Sequence, residues 1–390
     1  RKIDVSEPFS ALIFKTVVDP YVGKISLMKV CSGKLTTDME VYNPEKDENE
    51  KIGNLFLLRG KSQIAVENVV AGDIAAVAKL QYASTGDTLC DKNKPIKFER
   101  IVFPQPTLFM AVEPKAKGDE EKICTGLNRL TEEDLTFVVE RNAETKQTLI
   151  GGQGDMHINV ITNKLRNKFG VEVQLVEQKI PFRETIKGKA DVQGKHKKQS
   201  GGHGQYGDVK IRFEPVGEPF VFVDQVVGGS VPRNYIPAVE KGLRECLDNG
   251  VLAGFPVVNV KATLYDGSYH DVDSSEMAFK IAASMAFKKG MEMAKPVLLE
   301  PIMHVEIIVP EEYMGDIMGD MNKRRGRILG MEPLEDGTQK VVAEAPQTEL
   351  FKYATDLRSM TQARGSFTMQ FERYDEMPLH LSQKVIDEAE

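Results

Sequence analysis

The chain has 390 residues, with 51 Lys and Arg against 58 Asp and Glu, for a formal charge of −7. At 41% apolar and 28% charged residues it can bury several cores, which excludes a chain disordered throughout. No apolar run reaches the roughly 18 residues of a membrane span, and a prior of about 150 residues per domain gives two to three domains, or more if they are small.

The four cysteines, Cys31, Cys90, Cys124 and Cys246, lie far apart and never form a C-x-x-C pair. Neither a disulfide framework nor a zinc site is expected, and a reducing cytosolic setting is. The chain opens on Arg1 with no apolar stretch behind it, so no signal peptide is expected, and the opening reads as a cut or processed end. The mild acidity argues against a nucleic-acid partner on average, but two local patches run the other way.

Residues 1–98 read as all-β. Short apolar stretches at Ala11–Val18, Gly23–Val30, Gly53–Leu58 and Ile74–Leu80 are separated by turn residues, the pattern of a small closed barrel. The acidic stretch Glu45–Glu50 reads as a solvated hairpin loop. Residues 101–178 change to strand, helix, strand, strand, helix, strand. Ile123, Leu127 and Leu130 mark the first helix, entered near Asp119, and Ile158, Ile161 and Leu165 mark the second. That order is the split β-α-β of ferredoxin-like domains.

The same order recurs at 299–376. A strand at Ile302–Val309 precedes a helix with Met314, Ile317, Met318 and Met321 on one face, and Leu350, Tyr353, Ala354 and Leu357 mark the second helix. Between the two copies, 180–298 reads as an elongated α+β unit: strands at Phe182–Val192, Asp208–Pro215 and Phe220–Val227, then helices. Ile236, Val239, Leu243 and Leu247 predict one helical face, and Met277, Ile281 and Met285 another. Proline-bearing linkers are expected near Phe98–Pro106, Gln178–Pro181 and Ala294–Pro301, as stiff joints, with a tail at 377–390.

Lys195-His196-Lys197-Lys198-Gln199-Ser200-Gly201-Gly202-His203-Gly204-Gln205-Tyr206-Gly207 is the most unusual stretch. Glycines allow close approach to a phosphate, lysines neutralise it, and Gln205 and Tyr206 offer hydrogen-bonding and stacking groups. A mobile, solvated hairpin is the competing reading. In Asp266-Gly267-Ser268-Tyr269-His270-Asp271-Val272-Asp273-Ser274-Ser275-Glu276, Ser274 or Ser275 reads as a helix N-cap. His270 between carboxylates reads as a general base, a metal ligand, a member of a capped loop, or a tip residue touching RNA. Lys323, Arg324, Arg325 and Arg327 either answer a helix dipole or clamp a phosphate. Gly151-Gly152-Gln153-Gly154-Asp155-Met156-His157 reads as a strand-to-helix turn, since no G-x-x-x-x-G-K-[ST] occurs anywhere. No catalytic nucleophile, metal site or cofactor site is expected, so the chain itself is not read as an enzyme.

At these residues the chain resembles bacterial elongation factor G or a factor-G-like paralogue, in the four domains that follow its GTPase domain. The resemblance rests on Asp19-Pro20-Tyr21-Val22-Gly23-Lys24, Phe103-Pro104-Gln105-Pro106, Thr131-Glu132-Glu133-Asp134, and the Gly152–His157 run. It continues through Arg183-Glu184-Thr185-Ile186, Gly201–Gly207, Tyr269–Glu276, Tyr313-Met314-Gly315-Asp316, Lys323-Arg324-Arg325-Gly326 and Tyr353–Arg358. It implies a β-barrel, two ferredoxin-like domains, and between them an elongated domain of the ribosomal protein S5 domain 2 type. It further implies two tip loops in the decoding site of the small ribosomal subunit, formed by Lys197, Lys198, Ser200, Gly201, Gly202, His203, Gln205 and Tyr206, and by Ser268, His270 and Asp271. The patch Lys323, Arg324, Arg325 and Arg327 would meet ribosomal RNA, so that RNA of both subunits, tRNA and mRNA are the implied partners of a cytoplasmic monomer with no membrane attachment. GTP and Mg would belong to the GTPase domain, which has no counterpart in these residues. His203 stands where the family has arginine, and the Lys195–Lys198 run is similar to a paralogue branch. Translocation is the leading expectation; ribosome recycling, ribosomal protection and a free-standing RNA-binding protein are the alternatives.

Overall fold

A computed structural model describes residues 1–19, 22–60, 62–199 and 204–389. The chain divides into two compact units, Arg1–Lys179 with Ala354–Ser359, and Ile180–Tyr353 with Met360–Glu390. No helix among the described residues is long and apolar enough to cross a membrane.

In the first unit, eight antiparallel strands form one sheet. It runs Glu48–Lys51, Glu40–Asn43, Thr88–Cys90, Ser10–Asp19, Gly23–Ser32, Ile74–Ala78, Leu55–Arg59, Ser62–Ala65, and a two-stranded ribbon of Lys34–Thr36 and Asn68–Val70 stands beside it. Alternate residues such as Ala11, Ile13, Met28, Val30, Leu55, Val77 and Leu89 feed one core shared with the ribbon's Leu35 and Val69. The acidic stretch is only partly the solvated loop expected of it. Lys46–Asn49 are largely solvated, but Glu50 is buried and accepts the amides of Gln81, Tyr82 and Ala83 at 3.0, 2.6 and 2.7 Å. Glu45 accepts from the Thr88 amide and hydroxyl. These carboxylates satisfy loop donors that would otherwise be orphaned.

The rest of this unit is the first ferredoxin-like repeat, with strand order Val138–Arg141, Thr148–Gly152, Leu108–Pro114, Val173–Val176 and helices Glu120–Glu133 and Asp155–Phe169. Ile123, Leu127, Leu130, Ile158, Ile161 and Leu165 are all buried. Glu133 accepts from Lys164 and Lys168, both at 2.6 Å, and from the Val18 amide at 3.2 Å. Burial works against its charged form, yet those donors hold its carboxyl below the ordinary value.

The second repeat, in the second unit, has the matching strand order Arg327–Pro333, Thr338–Pro346, Pro296–Pro310, Ser366–Glu376. Two expectations change here. Phe182–Val192 is not one strand, because the Gly188 amide turns to the Ala294 carbonyl at 2.8 Å. Arg183–Ile186 then pairs with Pro296–Leu299, while Ala190–Lys198 enters a different sheet. Residues 296–301 are likewise strand rather than a joint. Leu299 is flanked by Arg183 on one side and Glu376 on the other, so one unbroken strand serves both domains. The tail carries a helix, Leu379–Ala389, whose Leu381, Val385 and Ile386 pack with Phe182, Leu298 and Met377.

Candidate nucleic-acid interface

The middle domain has the sheet order Ala190–Lys198, Gln205–Pro215, Val260–Ser268, Phe220–Asp224, the last pair parallel and the others antiparallel. Helices Ile236–Cys246 and Glu276–Met293 supply Val239, Leu243, Phe279, Ala282, Ala283, Ala286 and Phe287 to its core. The buried face of the longer helix is not Met277, Ile281 and Met285. Met277 and Met285 are exposed, and the strip facing inward is mainly alanine, phenylalanine and glycine. The cause is distance. A Cβ on Gly194 would stand 2.1 Å from the Ala282 carbonyl oxygen, and one on Gly207 would stand 2.5 Å from that of Ala278. Helix backbone lies directly on strand backbone, and only small residues fit between.

With these strand directions, Lys198, Gln205 and Ser268 lie toward one end of the sheet, while Asp224, level with Leu264, stops short of it. Both helices also begin there. Tyr235, before the first, stacks on Phe279 of the second at 4.9 Å, and its hydroxyl donates to the Ser274 carbonyl. Two helix N-termini bring partial positive charge to the same end. Ser275 caps the longer one, accepting the Ala278 amide at 3.2 Å.

The two loops singled out in the sequence meet here. Ser200, Gly201, Gly202 and His203 lie outside the described residues. On either side of them, Lys197 faces Tyr206 and Lys198 faces Gln205 in register, and His196 Nε2 lies 2.8 Å from Gln205 Oε1. The Gly204 amide donates to the Asp273 carboxylate at 2.9 Å, the Tyr206 amide to the Asp273 carbonyl at 2.8 Å, and Ser274 Oγ to the Tyr206 carbonyl at 2.9 Å. Below them, buried Asp208 accepts from Gln193 Nε2 and Ser268 Oγ at 2.7 and 2.6 Å. Because the Ser268 proton is committed to that carboxylate, the Tyr206 hydroxyl at 2.7 Å is the donor to Ser268, and its outward lone pairs can only accept.

His270 stands beside the Asp273 carboxylate, whose Oδ2 lies 3.5 Å from Nδ1. Its Nδ1 accepts the amides of Val272 and Asp273, both at 3.3 Å, which leaves Nε2–H as an outward donor. Its ring lies 6.3 Å from that of Tyr206, and Asp271 is exposed beside it. Among the described residues no group of three His, Cys, Asp or Glu could hold a metal ion.

Charge is graded along the domain. Toward the base, Lys210 pairs with Asp266, Arg212 with Asp191, and Lys189 and Lys261 with Glu214. Lys210 and the Gly267 amide hold Asp266 down at about 2, and burial together with the Asp191 carboxylate pushes Tyr265 up to about 12. Lys195 lies over the Tyr206 ring at 5.5 Å, while no acidic partner stands beside Lys197 or Lys198 among the described residues.

The second basic patch is divided by the fold. Arg325, in left-handed backbone at φ 56°, gives a two-pronged pair to buried Glu300 at 2.6 and 2.8 Å, and its Nε goes to Glu349 at 3.0 Å. Arg324 pairs with Asp320 at 2.7 Å and lies over the Tyr353 ring. Their guanidinium groups are engaged within this domain, by Asp320 for Arg324 and by Glu300 and Glu349 for Arg325. Lys323 and Arg327 remain exposed. The Gly152–His157 run is a helix entrance: His157 Nδ1 accepts the Gln153 amide at 3.0 Å and Nε2 donates to Asp134 at 2.8 Å. Gln153 Nε2 reaches the Gln105 carbonyl at 2.8 Å. These contacts tie the Gln153 and His157 side chains of the run to the protein itself.

One neighbouring element escapes the sequence reading. The connection at 225–235 ends beside the same tip, with Val231 against Gly267 and Tyr235 against Ser274. Its Gly228-Gly229 pair and Arg233 are its only signals.

Four family models match in chain order. They are Elongation factor G domain 2 at residues 8–92, Elongation Factor G domain III at 103–177, Elongation factor G domain IV at 178–295, and Elongation factor G C-terminus at 297–385. A crystal structure of a protein from Thermus thermophilus matches with a TM-score of 0.81 and 40% identity, over 98% of this chain and 58% of that one. The chain thus spans little more than half the length of that relative.

Proposed function

The chain belongs to the elongation factor G family, and on that premise we propose that it is the ribosome-contacting part of a translational GTPase that promotes movement of tRNA and mRNA during elongation. The observation that carries the reading is the meeting of Gly204–Tyr206, paired with Lys197 and Lys198, and the Ser268–Asp273 turn at one end of the middle domain, where the described lysines lack acidic partners. An outward acceptor on Tyr206, an outward donor on His270 and two aromatic rings suit RNA, whose bases stack and whose 2′-hydroxyl both donates and accepts. GTP and Mg would be held by the GTPase domain of the complete factor. The partners proposed for the whole are ribosomal RNA of both subunits and the tRNA–mRNA pair, met by a monomer in the cytoplasm.

Replacing His270 with alanine in the complete factor removes the outward donor and leaves the Ser275 cap in place. One hydrogen bond worth about 1.4 kcal/mol in the transition state predicts translocation slowed roughly tenfold. Single-round translocation and GTP hydrolysis are to be measured on the same ribosomes, with hydrolysis near the unsubstituted rate. Normal translocation with lost hydrolysis would overturn the assignment.

A further inference from the structure

The connection 225–235 carries a combination that the fold does not use. Val227 is 83% exposed, although valine is ordinarily a core residue. It precedes Gly228 and Gly229, both in left-handed backbone at φ 71° and 72°, with open space around each. Glycine is needed there for the turn and not for room, so the turn is built to present Val227 outward. Arg233 is exposed, and no acid stands beside it among the described residues.

Both ends of the segment are pinned. The Gln225 amide donates to the Leu264 carbonyl at 2.8 Å, and Val231 is buried against Gly267. Beyond Arg233, the Tyr235 amide donates to the Pro232 carbonyl at 2.9 Å, while the Tyr235 ring stacks on Phe279 and its hydroxyl reaches Ser274. The loop is therefore attached to the strand and turn that carry Ser268 and His270.

We propose that residues 226–233 form a third RNA-contacting loop, in which Arg233 pairs with a backbone phosphate and Val227 packs on a ribose or base. The inference rests on the reading of the tip as an RNA surface and extends it beyond the two loops legible in the sequence. A guanidinium matches two phosphate oxygens, and apolar side chains seated against bases are a recurring partner to such cations.

The test is binding of the full 390-residue chain to small ribosomal subunits, titrated across salt concentration. Each phosphate contact releases counterions, so affinity should fall steeply as salt rises. Arg233→Ala should reduce the slope of log K against log salt by about one, as should Lys198→Ala. Val227→Ser should weaken binding by roughly three- to tenfold with the slope unchanged, since it removes apolar contact without charge. Lys288→Ala, on the exposed side of the long helix, is the control expected to change neither. If Lys198→Ala lowers the slope and Arg233→Ala does not, the third loop is refuted while the two-loop tip stands. If neither lowers it, or if binding ignores salt, the RNA reading of the tip falls and takes the loop with it. The Arg233 variant should melt at the unsubstituted temperature, which separates a lost contact from a lost fold.

Discussion

Replacing Arg325 with alanine is expected to destabilise the second unit by about 3–5 kcal/mol, the usual cost of stripping one partner from a buried ion pair. Glu300 is 2% exposed, and Arg325 supplies two of its short contacts at 2.6 and 2.8 Å. Without that guanidinium the carboxylate retains only the Thr348 hydroxyl at 3.2 Å among the contacts described. Urea unfolding followed by tyrosine emission reads the loss, since the chain has no tryptophan. A companion Arg325→Ala, Glu300→Leu double substitution should recover much of it, because the stranded charge is then gone. An Arg325→Ala protein that unfolds normally but binds ribosomal RNA weakly would return this arginine to the phosphate clamp.

The second large effect is steric. Gly194→Ala would set its methyl 2.1 Å from the Ala282 carbonyl oxygen and 2.7 Å from the Ala286 amide nitrogen. Both are helix backbone, so no rotamer change relieves the clash and the helix must lift from the sheet. Overpacking typically costs 1–3 kcal/mol, and a backbone obstruction belongs at the upper end, about 3 kcal/mol or more. The melting temperature is the measurement, with Gly217→Ala as reference because open space surrounds that site. Equal melting temperatures for the two variants would refute direct backbone contact. A lifted helix also displaces Ser275 and the His270 turn, so RNA affinity should fall along with stability.

The sequence is most legible where size and periodicity agree. Leu127, Ile161 and Leu165 fall on buried helix faces as their spacing predicts, and both repeats keep their order of elements. It misleads where close packing reverses the usual ranking of side chains. Met277 and Met285 are more apolar than Ala282 and Ala286, yet glycine-lined strands accept only the smaller residues, so the methionine stripe points the wrong way. Prolines mislead in a second way. Pro296 and Pro301 suggest a joint, but Pro296 opens its strand, and Pro301 falls between the flanking partners Arg183–Ile186 and Thr338–Pro346, where that flank has no ladder to lose. The arginines mislead for a third reason. Glu300 lies 25 residues from Arg325, and no local pattern announces that a buried carboxylate will claim a basic cluster.

At the candidate site, the glycine–lysine and histidine loops are legible because their composition cannot form a core. Their hydrogen bonds through Asp273 and Ser268 are not, since strand pairing brings those residues together across more than 60 positions. The 225–235 loop has only a glycine pair and one arginine to mark it, which is ordinary turn chemistry.

The unbroken Pro296–Pro310 strand has a mechanical consequence. A swivel between the middle domain and the last sheet would require breaking ladder bonds on both flanks of Leu299. Torque applied to the C-terminal half of this strand therefore meets a continuous backbone at the boundary of the domain that bears the loops.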